Sequence, residues 1–205
     1  MAKSSAKTTI KKAARKTKYA SAAKSPRRAP AKKPKPKSST SGKDELKKLF
    51  EHALKDIYWV EKSLTKAIPK MIRKASAPEL VEALKIHLEV TENQVDMVER
   101  VFKGIGIAAR AKKCAGMEGI LKEGEELMTE SAGPALDSAI IAAGQKVEHY
   151  EISSYTSMIN LAKTLYYVKE ADILQDILDE EMEADKLLTD ISIRVAHQTA
   201  INTSD

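Results

Sequence analysis

The stretch that decides the fold is IIAAGQKVEHYEISSYTSMINLAKTL, residues 140–165. Within it Ile141, Gly144, Glu148, Glu151, Tyr155, Met158, Ala162 and Leu165 step by alternating threes and fours, so they share one face of a helix. That face is apolar except for two carboxylates one turn apart, with Glu151 near its centre. The spacing predicts a helix from about Pro134 to Leu165. A few residues near Tyr167 separate it from a second periodic run, Lys169 to Gln198, whose stripe is Leu174, Leu178, Glu181, Asp185, Leu188, Ser192 and Val195. Glu181 is central there and Asp185 lies roughly 40° away at 100° per residue. So short a connection makes the two helices an antiparallel hairpin.

Working back toward the N-terminus, a helix is predicted from Asp44 to Ala75, with Leu46, Phe50, Leu54, Ile57, Leu64, Ile68 and Met71 on its apolar face. Glu61 falls within roughly 40° of the centre of that face, and Pro69 is expected to kink the last turns. The next helix is read as opening on a capping box, Ser76-Ala77-Pro78-Glu79, and ending by Gly104-Ile105-Gly106. Its stripe is Leu84, Leu88, Val95, Val98 and Phe102. Glu89 and Glu92 lie roughly 90° or more from that stripe, whereas His87, Thr91 and Gln94 fall on or beside it. His87 and Gln94 are therefore this helix's expected polar contribution to the core. His149 lies on the far side of its own helix and reads as a surface residue. Between Gly106 and Gly133 about 26 residues hold one short amphipathic stretch, Met117 to Met128. Hairpin, long crossover, hairpin is the wiring of an all-α, ferritin-like four-helix bundle with a short helix in the crossover.

Acids on three inward faces at mid-length are the informative feature, because a buried carboxylate is costly unless it is paired or bound to a metal. Glu61, His87, Gln94, Glu148, Glu151, Glu181 and Asp185 form the expected metal-ligand set. Oxygen and imidazole donors suit iron or manganese, and two ions could share five or so carboxylates. The bland alternative is a set of hydrogen-bonded core pairs with Tyr155, His87 or Gln94.

Charge divides the chain elsewhere. The 205 residues carry a net charge of +6, yet residues 1–42 hold 14 of the 35 Lys and Arg and none of the 29 Asp and Glu, so a +14 segment precedes a −8 body. Pro26, Pro30, Pro34 and Pro36 break any helix in that segment, and its Lys, Ala, Ser and Pro composition predicts a disordered arm reaching on the order of 35 Å. Lys11, Lys12, Arg15, Lys16, Lys18, Arg27, Arg28, Lys32, Lys33, Lys35 and Lys37 are its expected contacts to nucleic acid or another polyanion, without base specificity; the bland alternatives are a solubilising tail, a nuclear-import signal at Lys32 to Lys37 or an organelle transit peptide, the last disfavoured by 11 Lys to 3 Arg. Residues 43–205 are the expected folded domain. The longest apolar runs, such as Ala139 to Ala143, are far too short for a membrane span, and no apolar stretch follows the basic start as a secretory signal requires. A cytoplasmic, reducing setting is expected, and the single Cys114 reads as an inert small residue in a connection.

The stretches Glu61-Lys62-Ser63-Leu64-Thr65-Lys66-Ala67-Ile68-Pro69-Lys70, His87-Leu88-Glu89, Gln145-Lys146-Val147-Glu148-His149-Tyr150-Glu151-Ile152 and Leu178-Asp179-Glu180-Glu181 with Asp185 resemble the YciE/YciF-like stress proteins of the ferritin-like superfamily. The resemblance covers residues 43–198. It implies a bacterial cytoplasmic protein, a helical bundle that pairs as a homodimer, a stress-linked role, a dinuclear metal site and, from the wider superfamily, chemistry on oxygen or peroxide. The sequence departs from the superfamily's usual Glu-x-x-His pattern, having no copy of it, and Glu181 is followed by Asp185 at four residues. The basic segment lies outside the resemblance. In composition it is similar to the lysine-rich arms of mini-ferritins and histone-like proteins that hold DNA, which implies nucleoid association. The competing reading is a non-enzymatic structural or nucleoid-associated dimer.

Overall fold

The Ser41 side chain accepts a hydrogen bond from Asp44 N at 3.2 Å while the Asp44 carboxylate accepts from Ser41 N at 3.3 Å, a reciprocal cap that starts the first helix two residues before the expected Asp44. The computed structural model describes residues 41–202. It contains α1 (Gly42–Lys74), α2 (Pro78–Gly104), α3 (Ala115–Glu130), α4 (Pro134–Thr164) and α5 (Val168–Asn202), with no strand among the described residues. The expected arm, with its basic residues from Lys11 to Lys37, lies outside the described residues. No described helix is long and apolar enough to cross a membrane.

Helix α1 runs on through Pro69 to Lys74. At α2 the expected capping box is not formed. The Ser76 hydroxyl instead donates to Asp137 Oδ2 at 2.6 Å, Ser76 N donates to Oδ1 at 2.8 Å and Ala77 N donates to Oδ2 at 3.0 Å. Asp137 sits in the first turn of α4 and is 4% exposed. A carboxylate is a stronger acceptor than a hydroxyl, and the cap of α2 comes from 61 residues away. At the other end of α2, Ile107 N reaches Phe102 O at 3.1 Å across Gly106, whose φ of +75° only glycine adopts freely.

The Asp137 contact also fixes the wiring, since it places the end of α1 and the starts of α2 and α4 together. Arg194 bonds Glu79 at 2.8 Å, bringing the C-terminal part of α5 to the same end. The crossover must then travel the length of the bundle. Lys112 N bonds Lys55 O near its beginning, and Lys70 and Lys74 of α1 reach Glu125 and Met128 O near its finish. Each helix of the four, α1, α2, α4 and α5, packs antiparallel against two neighbours, and α3 covers the α1–α4 seam. The core follows the expected faces except that Leu46 of α1 and Ser192 of α5 are only half-buried and the stripe of α2 is shifted: its buried row is Leu80, Leu84, Thr91, Gln94, Val98 and Val101, while Leu88 and Val95 are half-buried. The polar residues at mid-helix therefore face the bundle axis.

Candidate metal centre

Each helix of the bundle sends a polar side chain to one level of its axis. Glu61 comes from α1, His87 and Gln94 from α2, Glu148 and Glu151 from α4 and Glu181 from α5. All but His87 are fully buried, and the imidazole is 15% exposed. Two groups form. One ligand atom each from His87, Glu148 and Glu181 lies within 4.8 Å of the others, as does one each from Glu61, Glu151 and Glu181. Glu181 belongs to both, so it joins two three-residue groups that could hold a metal ion. His87 Nε2 approaches Glu148 Oε1 at 3.4 Å.

Neutral donors orient two of the carboxylates. Gln94 Nε2 donates to Glu181 Oε1 at 2.6 Å and to Glu180 Oε2 at 3.0 Å, and the Tyr155 hydroxyl donates to Glu61 Oε1. No donor reaches Glu61 Oε2, Glu148 Oε2, either oxygen of Glu151, Glu181 Oε2 or the amide oxygen of Gln94. Where carboxylates approach one another, Glu61 to Glu151 and Glu148 to Glu181, only a shared proton would link them. Among the described residues no Lys or Arg forms an ion pair with these four glutamates.

The electrostatics follow from that crowding. Burial pushes the Glu61 carboxyl well above the usual range and the Glu181 charge adds to it, against the Tyr155 hydrogen bond. Glu148 and Glu151 are likewise raised, first by burial and then by Glu181. Tyr155 is held well above the ordinary phenol value by burial and then by Glu61. His87 is lowered by burial against the pull of Glu181, so its imidazole is neutral and its lone pair available.

Of the seven expected ligands, the structure brings Glu61, His87, Glu148, Glu151 and Glu181 into the two groups and places Gln94 directly against Glu181. Asp185 is not in either group. It is half-buried, one turn beyond Glu181, with Oδ1 at 3.3 Å from Nε2 of the exposed His149. Sequence reasoning missed this pair and the Gln94–Glu180 bond, because neither His149 nor Glu180 lies on a core stripe. Cys114, expected to be inert in a connection, caps α3 by accepting from Met117 N, and its sulfur lies 2.9 Å from the Tyr150 hydroxyl.

The family model described as "Domain of unknown function (DUF892)" matches residues 45–201. The chain belongs to the DUF892 family. Protein YciF of Escherichia coli (strain K12), also called a stress protein, is 38% identical over 159 residues, which cover 77% of this chain and 96% of YciF. The crystal structure of YciF superimposes with a TM-score of 0.71 at 39% identity, covering 74% of this chain and 97% of that one. YcfI of Rhodopseudomonas palustris gives a TM-score of 0.69 at 38% identity, covering 70% and 92%. The resemblance read from the Glu61 to Lys70 and Gln145 to Ile152 stretches is thus borne out at the level of family and fold.

Proposed function

We propose that this DUF892 protein is a bacterial cytoplasmic stress protein that holds iron or manganese in its bundle and associates with nucleic acid through its basic N-terminal segment. The observation that carries the reading is the set of buried carboxylate oxygens on Glu61, Glu148, Glu151 and Glu181 that have no donor. Four glutamates in an apolar core are tolerable if a multivalent cation takes up their charge, and carboxylate oxygen with neutral imidazole is a donor set that first-row divalent ions accept. His87, Glu148 and Glu181 would hold one ion, Glu61, Glu151 and Glu181 a second, and Glu181 would serve both. Gln94 fixes the Glu181 carboxylate and Tyr155 fixes that of Glu61, so the donors are oriented before binding. Bound iron or manganese would supply redox chemistry toward oxygen or peroxide.

The +14 charge of residues 1–42 supports nucleic-acid association, since lysines that neutralise phosphates gain affinity by releasing counterions without a fold. A homodimer would carry two such arms and hold the metal near the polyanion it protects. The same Tyr155 and Gln94 hydrogen bonds favour a second reading, in which the glutamates keep protons and the bundle is a nucleoid-associated scaffold. The variant E151Q/E181Q separates the two. Loss of stoichiometric metal from a folded double variant supports the metal centre, whereas unchanged metal content removes these residues from it.

A further inference from the structure

The Asp185 carboxylate lies between solvent and the buried glutamates. Its side chain is 24% exposed, and its Oδ1 has no hydrogen-bond donor and sits 3.3 Å from Nε2 of His149, which is 69% exposed. On the inner side Asp185 lies one turn along α5 from the shared residue Glu181, about 6 Å between Cβ atoms, and Glu148 is the residue next to His149 in α4. Glu148 is 3% exposed, and its Oε2 is buried without a partner. One turn along the α4–α5 seam, Gln145 Nε2 bonds Thr189 Oγ1 at 2.9 Å, a neutral pair that offers no competing charge. From the surface inward, the α4–α5 seam thus offers His149 and Asp185, and then Glu148 and Glu181, each one residue or one turn further along its helix.

We propose that His149 and Asp185 form an outer cation site through which a divalent metal ion passes to Glu148. This rests on the metal-centre reading and adds the route. A hydrated ion cannot drop its water shell at once, so it needs ligands that replace waters in stages, and a half-exposed carboxylate beside an imidazole is a fitting first pair for a first-row divalent ion. Another approach to the centre is a cavity of about 30 Å³ beside His87 and Glu148, walled by Ala83, Leu84, Ala184, Leu187 and Leu188. That is room for about one water, in an apolar wall, and it excludes a hydrated cation. The seam carries the ion because it carries the oxygens.

The test is the rate of Co²⁺ uptake by the full-length, nucleic-acid-free protein, followed by the visible absorbance of bound Co²⁺ in a stopped-flow instrument, with the final metal-to-protein ratio measured separately. H149A removes a ligand, whereas H149K restores an ion pair to Asp185 but repels a cation. Both variants should load about tenfold more slowly or worse, H149K being the slower, and reach the wild-type ratio. D185N should behave like H149A. Wild-type loading rates in all three variants would overturn the route, and so would rescue by H149K, which would make the pair a structural tie between helices. A wild-type protein that binds no Co²⁺ would instead overturn the metal-centre reading, and this route with it.

Discussion

Glu151 is fully buried, neither of its oxygens has a donor, and Glu181, Glu61 and Glu148 all push its carboxyl upward after burial. In the metal-free protein E151Q keeps the side-chain shape, removes the ionisable group and aims an amide N–H₂ at carboxylate oxygens that lack a donor. The gain has a ceiling. An unfolded carboxyl titrates near 4.5, so holding a proton in the core at pH 7 costs at most about 3.4 kcal/mol, roughly 2.5 pH units at about 1.36 kcal/mol each. Imperfect amide geometry takes back part of this, leaving E151Q about 1–3 kcal/mol more stable than wild type near pH 7. For a chain of this size that is a rise in Tm of roughly 3–10 °C, read by circular dichroism in the presence of a chelator. At pH 5 the ceiling falls to about 0.7 kcal/mol, so the advantage should nearly vanish. Saturating metal should reverse the ranking, since binding at a hundred times Kd adds about 2.7 kcal/mol to the form that keeps its ligand. A Tm for E151Q that falls below wild type equally at pH 7 and pH 5 would refute the argument.

Glu61, Glu148 and Glu151 have folded-state pKa values above 4.5, so the native state binds more protons than the unfolded chain over the window between. Metal-free wild-type protein should therefore be most stable near pH 4.5–5 and lose stability as the pH rises through the raised values, a slope that metal abolishes; a chelated protein whose Tm rises steadily from pH 5 to 8 contradicts this. D137A strands Ser76 N and Ala77 N at the α1–α2 turn and should cost about 2–4 kcal/mol, with Tm lower by roughly 5–15 °C and metal stoichiometry unchanged. Y155F removes the donor to Glu61 and should weaken metal affinity by about tenfold while the protein stays folded, as isothermal titration would show. Removing residues 1–40, which spares the Ser41 cap, should abolish retention of duplex DNA; if half the basic residues bind, the intact chain's log affinity against log salt should have a slope of roughly −6.

The site residues legible in the sequence are those whose information is local. Glu61, Glu148, Glu151 and Glu181 interrupt apolar stripes at helical spacing, and in a four-helix bundle a stripe centre has one place to go. His87 and Gln94 were found by the same angles, which also set aside the exposed Glu89 and Glu92. What the sequence hid is what depends on a partner in another helix. Ser76 carries the local signature of a capping box, but Asp137 arrives through the crossover and takes both the hydroxyl and the backbone donors. Asp185 lies only about 40° from Glu181, yet at the seam that angle separates the axis from the rim, and its neighbour His149 belongs to α4. Cys114 gave no signal, because a thiol that caps a helix and meets Tyr150 looks in sequence like any small buried residue.

Whether the four buried glutamates are ligands is tested most directly by the metal-to-protein ratio of the full-length chain freed of nucleic acid. Elemental analysis before and after anaerobic loading with ferrous and then manganous ions, followed by desalting, gives it. About two ions per chain are expected, falling to none in E151Q/E181Q. A folded wild-type protein that retains no iron or manganese would contradict this and would make the glutamates proton-sharing core pairs.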